Sequence, residues 1–165
     1  MNKDFFLSVQ TRLKDKVSEL KYIDENWGQL DFYGEKAPVK YPAALIDIGS
    51  INWINKSQKQ QLGVGELIVT LYDMKLTRTS NAAPSAQKEA AFSIYSTLRK
   101  IHLALHGWVA ENTTGSLVRV SNKRAVRDDG INEYATVFKF QMIDDFVTLF
   151  EITDPAPEFI IEDMP

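Results

Sequence analysis

His102 and His106 stand four residues apart in a stretch with helical periodicity. That spacing places two imidazoles on one helix face, as metal-binding helices require. They are the only histidines, the residues between them are Leu-Ala-Leu, and the chain has no cysteine. The glutamate of a zinc-protease helix is therefore missing, and carboxylates would have to complete any site. The simpler reading is positive charge near a helix C-terminus, where the helix dipole favours it. No metal and no cofactor is expected.

The other candidates for chemistry are acidic pairs and glycines. Asp128 and Asp129 precede Gly130, a turn sequence, and Asp144 and Asp145 stand where a strand is expected to end. Neighbouring residues on a strand point to opposite faces, so neither pair converges by itself. Gly63-Val64-Gly65 leads into a strand-like run rather than a helix N-terminus, so phosphate-cradling geometry is not implied. No serine lies in a nucleophile-elbow pattern. The residue types point away from an enzyme.

Charge is distributed more tellingly than its total of −3 suggests. The segment 144–165 holds seven acids and no Lys or Arg, so the residues before it carry +4. Within those, 117–127 holds Arg119, Lys123, Arg124 and Arg127 with no acid. A basic strand contacting phosphates would bind nucleic acid in a salt-dependent way. The negative total and the placement of aromatic residues elsewhere favour a strand facing solvent or another subunit. On strand alternation, Arg119, Lys123 and Arg127 share one face and Arg124 takes the other. An acidic tail with Glu158, Glu162 and Asp163 would then have a basic partner surface, since opposite charges steer and register contacts.

These residues need elements to position them. Phe6, Val9, Leu13, Val17 and Leu20 are spaced as one helical stripe, predicting a helix from about Lys3 to Leu20 with Asn2 as N-cap. Short extended pieces are expected at 22–24 and 29–33, flanking a turn at Asn26-Trp27-Gly28, with a loop over 34–41. Strands are expected at 42–53 and 64–76, joined by a solvated connection at 55–61. Both faces of the second strand are partly apolar, so cover on both sides is expected. After a loop at 77–85, the stripe Ala91, Ile94, Leu98, Ile101, Leu105 predicts a helix over 86–106, with Ser85 as N-cap and Gly107 as a left-handed stop. Asp-Gly at 129–130 predicts a hairpin joining strands at 117–127 and 131–143. A short strand is expected at 146–152, followed by a proline-containing tail.

Helices do not alternate with single strands, so a doubly wound parallel sheet is not expected. The reading is α+β: an antiparallel or mixed sheet with two main helices on one face, plus a hairpin. Residues 1–145 form one domain on this reading, and 146–165 a short strand and acidic tail. At 165 residues and 44% hydrophobic content, a core burying roughly 70% of the unfolded surface is within reach without disulfides. No run approaches the roughly 20 apolar residues that span a bilayer, and the charged N-terminus has no signal-peptide core, so a chain that stays in the compartment of its synthesis is expected.

Several strings carry a resemblance: Tyr-Ile-Asp, Pro-Ala-Ala-Leu-Ile-Asp-Ile, GVGELIVTLYDM, IHLALHGW at 101–108 and RDDGINEY at 127–134. In this order, from about Met1 to Ile143, the chain resembles small tail proteins of Bacteroidetes prophages. Their arrangement is similar to that of phage tail-terminator (tail-completion) subunits of the minor-tail-protein-U type. The resemblance implies subunits that form a ring, usually a hexamer, capping the tail tube and meeting the head. It implies host cytoplasm during assembly, the virion tail afterwards, tail-tube and head-connector partners, and no catalytic residues. A head–tail connector or neck subunit, or an accessory protein binding nucleic acid through 117–127, are the alternatives. Expected contact surfaces are the 117–143 hairpin with Arg119, Lys123, Arg124, Arg127, Asp128 and Asp129, the 77–85 loop with Arg78 in it, and the tail with Glu158, Glu162 and Asp163.

Overall fold

The computed structural model describes residues 3–32, 38–57, 60–74 and 79–145. The element order is α1 (Lys3–Lys16), β1 (Tyr22–Glu25), α2 (Gln29–Phe32), β2 (Ala43–Ser57), β3 (Gln60–Met74), α3 (Ser85–Leu105), β4 (Val118–Ala125) and β5 (Ile131–Asp145). The strands make one five-stranded sheet in the order β1-β2-β3-β5-β4. Only β1–β2 is parallel, so the sheet is mixed and the fold is α+β.

Period-two alternation explains how the sheet divides its faces. Ala44 and Ile46 of β2, Leu67, Val69 and Leu71 of β3, and Phe138, Phe140 and Met142 of β5 share one face. They form the main core with Phe5, Val9 and Leu13 of α1 and Ile94, Ile101 and Leu105 of α3. The two main helices lie together on this face, as the stripes require. Phe5, fully buried against Phe140 at 4.6 Å between ring centroids, belongs to the α1 stripe alongside Val9 and Leu13. Its neighbour Phe6 is only partly buried.

Among the described residues the second face is covered at one end only. Ala43, Leu45 and Tyr72 meet Leu30 of α2 there, with Val39 and Tyr41 packed alongside. Towards its other end β2 runs out of cover, and Asn52 to Ser57 are all exposed. Strands of 15 residues reach about 50 Å, while α3 with 21 residues reaches about 32 Å. The ends of β2, β3 and β5 therefore project beyond the helical layer as a ribbon.

Four expectations need correction. The extended piece at 29–33 is helical at Gln29–Phe32. Gly28 adopts φ 84° and reverses the chain, and buried Gln29 closes the turn by donating from Nε2 to the Glu25 carbonyl and accepting from the Trp27 N–H. Four residues are too few to show a period. The first helix stops at Lys16 rather than Leu20, with Val17 and Leu20 entering the core through a turn. Strand pairing continues through much of 55–61, from Asn55↔Gln61 to Ser57↔Gln60. At α3 the cap position is Pro84, whose carbonyl accepts from Gln87 and Lys88, and Ser85 is already helical. Gly107 takes φ 78° as a left-handed stop, and Trp108 packs on the core beside it. Asn2 and the 146–152 strand lie outside the described residues.

Candidate functional site

The basic segment is split by a bulge. β4 pairs with β5 through Val118↔Lys139 and Arg119↔Phe138, then shifts register so that Ser121 faces Val137 and Arg124 faces Tyr134. The extra residue, Val120, changes the parity of everything after it. Arg119, Asn122 and Arg124 therefore lie on the helix-side face, and Ser121 and Lys123 on the other. The expected grouping of Arg119 with Lys123 and Arg127 does not form, because simple alternation cannot anticipate an inserted residue.

Arg127 lies beyond the strand and is neutralised within the chain. It forms ion pairs with Asp129 at 2.7 Å, Glu133 at 3.2 Å and Asp31 of α2 at 3.4 Å. These partners hold its guanidinium firmly protonated, and the Arg127 hydrogen bonds lower the Asp129 carboxyl below its ordinary range. Asp129 also accepts from the Ile131 N–H, and Gly130 turns the hairpin at φ 77°. Asp128 is exposed in the same turn. Arg127 and Asp129 therefore build the turn, and Asp128 is presented on its surface. Arg78, Glu158, Glu162 and Asp163 lie outside the described residues.

Between α3 and β4 the remaining cations line a groove of about 440 Å³. Arg99 and His102 come from α3, and Arg119 and Arg124 from the helix-side face of β4; Lys123, on the other face, borders the groove at the strand edge. Leu98, Tyr95 and Tyr134 supply an apolar floor, and among the described residues no Asp or Glu lines it. The ion pairs among the described residues involve none of these cations. Arg124 stacks over the Tyr134 ring at 5.5 Å, and the Tyr134 and Tyr95 hydroxyls are 3.3 Å apart. Burial, then the charge of Arg119 and His106, hold the His102 pKa below its ordinary value. Its Nδ1 is enclosed without a hydrogen-bond partner among the described residues.

The histidine pair stacks at 4.9 Å, and the His106 Nδ1 accepts from the Arg119 backbone N–H at 3.1 Å. One ring nitrogen of the pair is thus spent on anchoring the start of β4. Arg99 and Tyr95 were not singled out from sequence. Their signal was present: Tyr95, Arg99, His102 and His106 step by four, three and four along the flank of the apolar stripe.

Two strand edges are open among the described residues. β4 is the last strand of the sheet, and its outer side has no strand beside it. On the other side, β1 pairs with only Ala43–Ile46 of β2, leaving β2 uncovered from Asp47 to Asn55. The ribbon at that end carries an apolar row across three strands, Ile54–Leu62–Ile143. Ile54 and Ile143 are 55% and 44% exposed. The solvated connection expected at 55–61 belongs in part to this ribbon, and its few apolar neighbours make too short an alternation to reveal a row from sequence.

Among the described residues no helix is long and apolar enough to cross a membrane. No protein-family model matches the chain, and no curated protein matches it. Among solved structures, the chain is similar to one in the virion of a native gene transfer agent (GTA) particle. That match has 14% identity and a TM-score of 0.47 and covers 84% of this chain and 93% of the other.

Proposed function

We propose that the chain is a structural assembly subunit of a phage-like tail, forming a ring that ends tail-tube polymerisation and joins tail to head, and that it is not an enzyme. The observation that carries this reading is the pair of unlike edges, both open among the described residues, on opposite sides of one sheet. One edge is the β4 strand; the other is the projecting stretch of β2. A surface that pairs with itself gives a two-fold dimer, whereas two different complementary surfaces associate head to tail and form rings where the rotation between copies closes. Exposed strand edges are surfaces that a second chain can extend. The sequence resemblance to tail-terminator subunits supports the same reading and suggests six copies. Assembly would take place in the host cytoplasm, with tail-tube and head-connector proteins as partners.

The test is light scattering after size exclusion, together with electron microscopy of the purified chain. Rings or a closed oligomer are expected, capping tubes when tail-tube protein is added. A strict monomer at high concentration, with and without that protein, overturns the reading. Rings that bind a head connector but leave tail tubes uncapped would identify a neck subunit instead. Salt-dependent DNA binding by a strict monomer, lost on neutralising Arg119 and Lys123, would identify a nucleic-acid accessory protein.

A further inference from the structure

The α3–β4 groove has an apolar floor and a cationic rim, with no acid in it among the described residues. The chain contains a segment of the complementary pattern. Glu158 is followed by Phe159, Ile160 and Ile161, and then by Glu162 and Asp163. An extended hexapeptide of this kind offers an apolar centre between acidic ends, and opposite charges fix its register against Arg99, Arg119 and Arg124.

We propose that Glu158–Asp163 of one copy seats in the α3–β4 groove of a neighbouring copy, acting as a latch between subunits. The direction of β5 favours a neighbour over the chain's own groove. Tyr134 lines the groove, and the chain then runs eleven residues along β5 to Asp145, about 35 Å away at the end of the ribbon. The 13 residues from Asp145 to Glu158 span at most about 45 Å. To reach its own groove the segment must double back over nearly the whole length of β5. A subunit lying beyond the ribbon is met without reversal. Pro155 and Pro157 fix φ and disfavour helix over the approach. The latch rests on the assembly reading for the presence of a neighbour, but the groove and its peptide specificity do not.

The first measurement uses a labelled synthetic peptide of residues 154–165 titrated by fluorescence anisotropy. The titrant is full-length protein carrying Glu158→Gln, Glu162→Gln and Asp163→Asn, so that its own tail does not compete. Saturable binding is expected, weakened at least tenfold by Arg119→Gln with Arg124→Gln, and weakened by salt. A peptide with Phe159, Ile160 and Ile161 changed to Ser should bind at least tenfold less tightly. The double arginine variant is checked by circular dichroism, and Arg99→Gln on α3 provides an independent loss if β4 is perturbed. No saturable binding, or binding indifferent to all three arginines, overturns the proposal. The second measurement places a photo-crosslinking amino acid at Phe159 of the otherwise unaltered chain. Crosslinks between copies at α3 or β4 are expected, and crosslinks confined to one copy overturn the neighbour assignment. Closed oligomers without peptide binding would sink the latch and leave the ring. Peptide binding by a strict monomer would sink the ring and the neighbour assignment while leaving the groove as a peptide site.

Discussion

Gly65 and Phe140 are cross-strand partners, and the Phe140 ring occupies the space that a side chain at 65 would need. A Cβ built there falls 2.7 Å from the Phe140 Cζ and 3.0 Å from the Ile51 Cγ1. Phe140 is held in turn by Phe5, so it cannot swing aside.

The expected result is that Gly65→Ala destabilises by about 1–3 kcal/mol, the usual cost of overpacking a filled core. For a chain of this size that lowers Tm by roughly 2–4 °C per kcal/mol. Gly49→Ala is the control, since its added Cβ meets neighbours only at 3.5 Å and beyond. Thermal melts in which the two variants shift equally would show that the close approach of β3 to Phe140 is not what position 65 requires.

Arg127 belongs to the turn and not to the groove, and this separates two effects that the sequence merges. Arg127→Met should cost about 1 kcal/mol, because it leaves Glu133 and Asp129 without its guanidinium while both keep partial access to solvent. Binding of an acidic peptide should be unchanged. The pH sign follows from Asp129, whose carboxyl is lowered in the folded state. Its contribution is full above the ordinary carboxylate pKa of about 4 and is lost as pH falls through the lower folded value. Urea denaturation of wild type and Arg127→Met from pH 7 down to pH 3 checks this. The gap between them should narrow at the acidic end, and a constant gap would exclude the ion pairs as its source.

The legible part of this fold was whatever repeats often enough to count. The α3 stripe declared itself through Ile94, Leu98, Ile101 and Leu105, and Asp129-Gly130 marked the β4–β5 turn. What escaped lacked a period or broke one. Gln29–Phe32 is a single helical turn set by one buried amide. Val120 is one added residue that exchanges the faces of Lys123 and Arg124. The groove needs α3 and β4 side by side, and nothing local in either segment states that adjacency. The anchoring of Arg119 to His106 is a contact of this kind.

His102 should make the fold sensitive to mild acid. Arg99, Arg119 and Arg124 line the same groove, and His106 stacks against it. Its folded pKa is lowered, with burial the first cause. The unfolded chain therefore binds the proton more readily, and stability falls as pH drops from the ordinary value near 6.5 towards the lower folded value. Below the folded value the loss is complete and levels off. His102→Leu should remove this dependence between pH 7.5 and 5.5, which denaturant midpoints will show. An acidic peptide in the groove should raise the His102 pKa, readable from the imidazole carbon-bound proton by NMR. A pKa unmoved by saturating peptide would place the peptide elsewhere.

The β4 edge offers the sharpest separation of folding from assembly. Val118 and Val120 are 47% and 46% exposed on the last strand of the sheet. Lysine on an exposed edge strand opposes pairing with another chain, because a second strand would bury its charge. At positions this open, a substitution that breaks no contact usually changes stability by less than about 0.5 kcal/mol. Val118→Lys with Val120→Lys should therefore leave the melting curve nearly unchanged while reducing the particle mass to that of one chain. Ile54→Lys, at the opposite edge on the β2 ribbon, should do the same from the other side. Head-to-tail association predicts a further result that two-fold pairing does not. A β4-edge variant keeps its β2 edge and a β2-edge variant keeps its β4 edge, so mixing them leaves one intact pair of edges and should give heterodimers that cannot close. Light scattering of the mixture showing only monomers would mean that these two edges do not meet each other.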